Sequence, residues 1–187
     1  MSSSASFANT VATHNQTGWC TSYPSALNLA FIEFAAAQDG PALEIGGGIG
    51  LVAHLALQRG IKIVYNDISE AHSDAFKMRL AADGRAIPPI VIGAFPGEMA
   101  FADDTFAAIH ASNVVHFLTP GDFARGLADV RRWLKPGGRV FLQTSNAYVG
   151  NFRAFIPVFE QRQREGLPNP GFVEGVFEKK VTLALAR

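Results

Sequence analysis

Two carboxylates close two apolar stretches of this chain. Glu44 stands in Ala42-Leu43-Glu44-Ile45, directly ahead of Gly46-Gly47-Gly48-Ile49-Gly50, and Asp67 ends Ile61-Lys62-Ile63-Val64-Tyr65-Asn66. A glycine turn lets a ligand lie against main chain, because no Cβ intervenes and the backbone can reverse with positive φ. The run that resumes at Leu51-Val52-Ala53-His54-Leu55 reads as a helix. Its first N–H groups and the positive end of its dipole point at whatever lies over the turn. A carboxylate ending the next strand can take both hydroxyls of a ribose in charge-assisted hydrogen bonds. Asp67 follows Gly50 by 17 positions, close to the roughly 20 expected for such an acid. A glycine turn by itself is often a plain connection. Strand, glycine turn, helix, strand and acid in succession point to a nucleoside-type ligand, with Gly46, Gly47, Gly48 and Gly50 as its cradle.

Positioning these residues needs an α/β framework. The strand at about 42–46 is apolar on both faces, as in the middle of a parallel sheet. A helix over about 49–59 stops at Arg59-Gly60, a second strand spans 61–66, and a crossover helix spans about 69–83 with Asp67 or Ser69 as its cap. Ile87-Pro88-Pro89-Ile90-Val91-Ile92 leads into a third strand, which the prolines put near a sheet edge. Ala107 to Ser112 is the fourth strand. Thr119-Pro120-Gly121-Asp122 caps a helix to about Leu134, Lys135-Pro136-Gly137-Gly138 reads as a tight turn, and Arg139 to Thr144 is the fifth strand. Ahead of the first strand, Tyr23-Pro24-Ser25 opens a helix that Asp39-Gly40-Pro41 ends. The alternation predicts a Rossmann-like, doubly wound, mostly parallel sheet with helices on both faces.

The ends are less regular. Residues 1–23 read as an arm over the site, with a short helix around Phe7 to Val11 and an aromatic and polar cluster of His14, Asn15, Trp19 and Tyr23. Asn151 to Glu165 reads as a helix kinked by Pro157. Phe172 to Glu178 and Val181 to Ala186 read as a final strand pair. One domain over 1–187 is expected, with 24–145 as its ligand-binding core and 146–187 as a C-terminal helix and edge strands.

Composition narrows the partners. The chain has 187 residues, 48% hydrophobic and 17% charged, enough apolar material for a sizeable core. Sixteen basic and sixteen acidic side chains balance, which gives no electrostatic case for nucleic acid or an anionic membrane. Cys20 is the single cysteine, so neither an intrachain disulfide nor a cysteine zinc site can form, in keeping with a cytoplasmic protein. No apolar run reaches the ~18 residues that span a bilayer. The start carries no basic and apolar leader pattern. No spacing of His, Asp and Glu suggests a metal. Fifteen phenylalanines, several in the tail, serve packing first, with an apolar acceptor pocket or a homodimer face as the sharper alternatives.

Several of these stretches together resemble the class I S-adenosylmethionine-dependent methyltransferases. Leu43-Glu44-Ile45-Gly46-Gly47-Gly48-Ile49-Gly50 is similar to the family's acid-x-Gly-x-Gly-x-Gly motif. Asp67 sits where its ribose-binding acid ends strand two. Glu98 to Ile109, Ser112 to Leu118, and Arg132-Trp133-Leu134-Lys135-Pro136-Gly137-Gly138-Arg139-Val140 resemble its later segments. The likeness covers about 40–145. It implies that Gly46 and Gly48 face the methionine part of S-adenosyl-L-methionine and that Glu44 reaches its ammonium, directly or through water. It further implies Asp67 on the ribose, Ile68 on the adenine, Glu98 and Met99 closing over the adenine edge, and Asn113 at the methionine end. The chain departs from the family at Phe95, where an acid usually meets the adenine N6, and at Ala107, usually Asp. The segment after strand five is short for the family's last helix and two strands.

Methyl transfer from a sulfonium is an in-line displacement that needs alignment and dryness more than a fixed catalytic group. The acceptor is expected to be a small molecule methylated on O or N. Tyr23, His116, Asn146 and Tyr148 are candidates to line its site, with His110 and Arg153 nearby. His116, just after strand four, is the candidate base; its plainer reading is a packed or solvated histidine. His110, within the strand, reads as a core residue with one hydrogen bond, and His14 and His54 read no differently. Asp103-Asp104 reads as a solvated turn. A non-catalytic relative that binds the cofactor and works through a partner is one alternative. A nicotinamide-dependent oxidoreductase is another, opposed by the acid before the first glycine, for which a pyrophosphate site has no use.

Overall fold

The computed structural model describes residues 10–12, 19–144, 148, 153–168 and 170–171. A short antiparallel hairpin, β1 (Thr10–Ala12) and β2 (Trp19–Thr21), comes first. Then follow α1 (Ala26–Ala36), β3 (Ala42–Ile45), α2 (Leu51–Gln58), β4 (Ile63–Asp67), α3 (Glu70–Ala82) and β5 (Ile90–Ile92). The chain continues through β6 (Phe106–Ser112), a 3-10 turn (Val115–Phe117), α4 (Pro120–Trp133), β7 (Leu134–Gln143) and α5 (Ile156–Arg164).

β3 to β7 make a five-stranded parallel sheet in the order β5-β4-β3-β6-β7. The doubly wound fold read from the sequence is therefore present, and β5 is indeed at an edge. The side chains of the central strands alternate between two cores, as the two-residue period of a strand requires. Ala42, Ile63, Tyr65 and Ala108 join Phe31 of α1, Val52, Ala53 and Ala56 of α2, and Phe76 and Leu80 of α3. Leu43, Ile45, Ile109 and Ala111 join Met99 and the Val130 and Trp133 side chains of α4 on the other face. Burial of both faces is why the central strands read as continuous apolar runs.

Helix starts follow their caps. Ser25 accepts from the Asn28 N–H while the Asn28 side chain accepts from the Ser25 N–H, a reciprocal capping box. Ser69 and Thr119 cap α3 and α4, and Pro120 occupies the first turn of α4. Of the two caps proposed for α3, Ser69 serves.

Three local expectations are corrected. Val11 is in a strand rather than a short helix, because residues 10–12 find backbone partners in 19–21. Lys135-Pro136-Gly137-Gly138 is not a separate turn. Leu134 pairs with Phe106 and Arg139 with Ala108, so these four residues bulge from β7 opposite Ala107 alone. Pro157 does not kink a helix, since α5 begins at Ile156 and the proline falls in its first turn, where its missing N–H has no partner to lose. The strand pair expected over 172–186 lies outside the described residues, as do His14, Asn15 and Asn146.

Gly50 shows how tightly the glycine turn is set. It caps α2 with φ 74°, and a Cβ there would lie 2.0 Å from the Phe76 ring. Phe76 is fully buried and stacks on Tyr65 at 4.7 Å between centroids. Both the left-handed backbone and the ring oppose a side chain. Gly50→Ala is expected to cost about 2–5 kcal/mol of unfolding free energy, measured by urea denaturation; a loss under about 1 kcal/mol would show that Phe76 yields to the methyl group.

Candidate functional site

The carboxyl ends of β3, β4 and β6 meet at one side of the sheet, where open parallel sheets bind ligands. The register fixes who meets whom. Glu44 on β3 pairs with Tyr65 on one side and His110 on the other, and His110 pairs with Phe141. Glu44 is 3% exposed and Asp67 5% exposed, and carboxylates so deeply placed need donors.

They have them. Glu44 Oε2 accepts the Ala53 N–H from the first turn of α2 at 2.8 Å, where a carboxylate also faces the positive end of the helix. Asp67 Oδ2 accepts the Gly48 N–H at 2.8 Å. Its Oδ1 accepts the Ser69 N–H at 2.9 Å and the His72 Nδ1–H at 3.0 Å. Asn66 braces the turn from beneath. Its backbone carbonyl accepts the Gly47 N–H at 2.8 Å, and its side chain links Gly46 to the Val91 and Gly93 carbonyls beyond β4. The buried Tyr65 hydroxyl donates to the Gly48 carbonyl. Burial, then the nearby Asp67 and Glu44 carboxylates, push its phenol far above the ordinary range, so it remains a donor.

Gly48 itself has φ 53°, and a Cβ on it would fall 2.8 Å from Cys20 Sγ. The strand β2 therefore lays Cys20 over the glycine turn. Burial raises the Cys20 thiol pKa, the Asp67 and Glu44 carboxylates raise it further, and the Ile49 backbone opposes the rise.

The remaining candidates fall in different surroundings. Ile68 is 64% exposed next to Asp67. Glu98 is exposed, and its carboxylate accepts the Ala94 N–H at 2.8 Å. Met99 is buried in the core beside Trp133, which leaves only its backbone for a ligand. The Phe95 ring packs toward the same core, 6.4 Å from Trp133 between centroids. Asn113 has φ 58°, and its N–H donates to the Gln143 carbonyl at 2.8 Å. His116 is half-buried in the 3-10 turn after β6, and burial lowers its pKa from the ordinary value. Tyr23 is exposed, and Tyr148 packs edge-on against Phe159 of α5 at 5.7 Å. His54 donates from Nε2 to Asp83 at 2.6 Å, away from the glycine turn. Asp103 pairs with Arg132 at 2.8 Å on the surface. Among the described residues no group of three His, Cys, Asp or Glu could hold a metal, and no helix is long and apolar enough to cross a membrane.

The geometry fits a nucleoside ligand bearing an amino-acid tail. The glycine turn, one buried carboxylate at each of two adjacent strand ends, and the start of α2 converge. Residues 42–138, just over half of the chain, match a family described as a methyltransferase domain. The chain belongs to this methyltransferase family. The class I resemblance read from the motifs is borne out, and S-adenosylmethionine is the cofactor of that class. Among solved structures, a glycopeptide N-methyltransferase complexed with S-adenosyl-L-homocysteine is 28% identical with a TM-score of 0.52, covering 62% of this chain and 47% of that one. The PH0226 protein of Pyrococcus horikoshii has a TM-score of 0.58 at 21% identity over 75% of this chain and 58% of its own, a likeness of fold alone. A lovastatin nonaketide synthase of Monascus pilosus is 35% identical over 106 residues, which is 54% of this chain and 3% of that one. A highly reducing polyketide synthase of Purpureocillium lilacinum is 30% identical over 128 residues, 62% of this chain and 5% of that one. The methyltransferase chain thus spans a few hundredths of the length of these curated relatives.

Sequence reasoning did not place Cys20, Asn66 or His72 at the site. Asn66 had a signal, as the residue before the strand-ending acid; His72 lies one helical turn beyond Asp67. Cys20 carried none, because a strand pairing brings it there. The half-buried thiol, its pKa raised, is expected to react with iodoacetamide at least about tenfold more slowly in the native methyltransferase than in the urea-unfolded chain. Mass spectrometry reads the labelling, and equal rates would put Cys20 outside the site.

Proposed function

We propose that this chain transfers the methyl group of S-adenosyl-L-methionine to a small-molecule acceptor. The observation that carries the reading is the 2.8 Å hydrogen bond from the Gly48 N–H to Asp67. It draws the glycine turn and the acid of strand two into one cradle, over which β2 lays Cys20.

In this reading the bound cofactor supplies a methyl group already activated by the sulfonium charge. The chain's own residues bind, orient and exclude water. Asp67 turns a carboxylate oxygen to the ribose hydroxyls. Glu44 faces the ammonium of the methionine end. Gly46 and Gly48 present main chain, and Ile68, largely exposed beside Asp67, covers the adenine. Glu98 holds its own turn through Ala94, so the adenine edge meets backbone around Gly97, Glu98 and Met99 in preference to the Glu98 carboxylate. Asn113, in a left-handed turn at the end of β6, borders the methionine end. His116 is the candidate base for an acceptor that carries a proton. Its lowered pKa keeps the imidazole neutral, able to accept that proton, at neutral pH.

The likeness to polyketide synthases favours a second reading of the acceptor, a polyketide carbon flanked by carbonyls rather than an O or N atom. That carbon must lose a proton, so it too calls on a base.

Calorimetry with S-adenosylhomocysteine and NAD tests the cofactor, with micromolar binding of the first and none of the second expected. Asp67→Ala is expected to weaken S-adenosylhomocysteine at least about tenfold, the weight of hydrogen bonds to a charged group; unchanged affinity would remove the reading. A panel of amine, hydroxyl and β-keto thioester acceptors then separates an enzyme from a cofactor-binding relative that works through a partner. With the productive acceptor, turnover is expected to fall as pH drops below the ordinary histidine value of 6.5. The His116→Asn variant should lose turnover and that acid limb together, and an unchanged rate would remove His116 as the base.

A further inference from the structure

Beneath the glycine turn runs a polar chain, half-buried at its outer end and buried from Asn28 inward, that family membership does not account for. It starts at Gln143 on β7, whose Oε1 accepts the Ser25 hydroxyl at 2.7 Å. It passes through the capping box to Asn28, then to His110 on β6, and reaches Glu44 on β3. Asn28 is 4% exposed, His110 1% and Glu44 3%. We propose that Asn28 and His110 are positioning residues for the methionine end of the cofactor, holding an imidazole N–H toward the Glu44 carboxylate. The proposal rests on the reading that Glu44 faces the cofactor ammonium.

The direction of this chain follows from donor and acceptor identities. A backbone N–H can only donate, and the Ser25 N–H meets Asn28 Oδ1 at 2.7 Å. That fixes the amide, so its NH2 faces His110 Nε2 at 2.8 Å. An amide NH2 can only donate. Nε2 is therefore the acceptor, and the neutral ring carries its hydrogen on Nδ1. Nδ1 has no hydrogen-bond partner among the described residues. It lies 3.6 Å from Glu44 Oε1, while Oε2 is held by the Ala53 N–H. The ring is clamped from the side by Phe31, at 5.0 Å between centroids. Neighbouring places in the sheet register set the Glu44 and His110 Cα atoms side by side. The opposite tautomer would turn a lone pair on the carboxylate, so the amide selects the arrangement that steadies Glu44 as an acceptor. A capping residue of α1 thereby helps to aim a group on β3.

The test uses the intact chain and two ligands, S-adenosylhomocysteine and 5′-methylthioadenosine, which lacks the amino-acid end. His110→Phe keeps the ring against Phe31 and removes the N–H. It is expected to weaken S-adenosylhomocysteine about threefold or more, the weight of an N–H dipole that faces a buried carboxylate without closing a hydrogen bond. Methylthioadenosine should be held as before. His110→Asn restores a donor near the Nδ1 position and should recover most of the loss. Asn28→Leu should act in the same direction and add nothing to His110→Phe, since the two lie on one path. Parallel losses for both ligands would mean a structural role only and overturn the proposal. Nitrogen-15 NMR of the wild-type imidazole gives a readout that needs no variant to fold: a proton on Nδ1 is expected, and a proton on Nε2 overturns the proposal. Glu44→Gln separates the two levels. If it leaves S-adenosylhomocysteine binding intact, the Glu44 reading fails and the inference with it. If it weakens binding while His110→Phe does not, the inference alone fails.

Discussion

The Gly48 N–H to Asp67 hydrogen bond ties together two segments 19 residues apart, and most of the site depends on it. A carboxylate this deep in the protein is costly unless several donors meet it. Gly48, Ser69 and His72 supply them. The same contacts set the shape of the glycine turn, the start of α3 and the orientation of the acid. Candidate site and local fold are thus one hydrogen-bonded unit, supported from below by Asn66 and by the Tyr65 hydroxyl. A ligand that shares Asp67 must fit a pattern already in place, and such preorganisation lowers the ordering cost of binding.

Parallel pairing gives this unit its rigidity. β3 lies between β4 and β6, with Glu44 level with Tyr65 and His110. A slip of one residue would send Glu44 into the Met99 and Trp133 core and expose a cavity on the other face. Large apolar side chains on both sides, Phe31 and Phe76 on one and Trp133 and Phe106 on the other, make that slip unfavourable. The polar row survives inside an apolar sheet because each member finds a neighbour in register or in α1.

The sheet, its helices and the edge position of β5 were legible because they follow from two periodicities and from glycine, proline and cap placement. What misled the reading was tertiary. The Lys135–Gly138 stretch has turn chemistry, yet β6 captures it on both flanks, so it becomes a bulge. Residues 10–12 gain strand form from a partner seven or more positions on. Around the glycine turn, the positive φ of Gly46, Gly48 and Gly50 calls for glycine, and Glu44 and Asp67 fall at the ends of β3 and β4. His110 was read as a core residue with one hydrogen bond, and it has one, to Asn28. Its facing of Glu44 depended on strand order, which spacing alone does not reveal. Cys20 and Met99 are the converse cases, one brought to the glycine turn by a hairpin and the other withdrawn into the core by its own side chain.

Phe95 packs against α4 at Gly126, where a Cβ would lie 2.5 Å from the ring tip. The segment that follows β5 is therefore keyed into a slot on α4. A methyl group at 126 would meet the ring and a smaller side chain at 95 would relieve it, so a change at one position alters what the other tolerates.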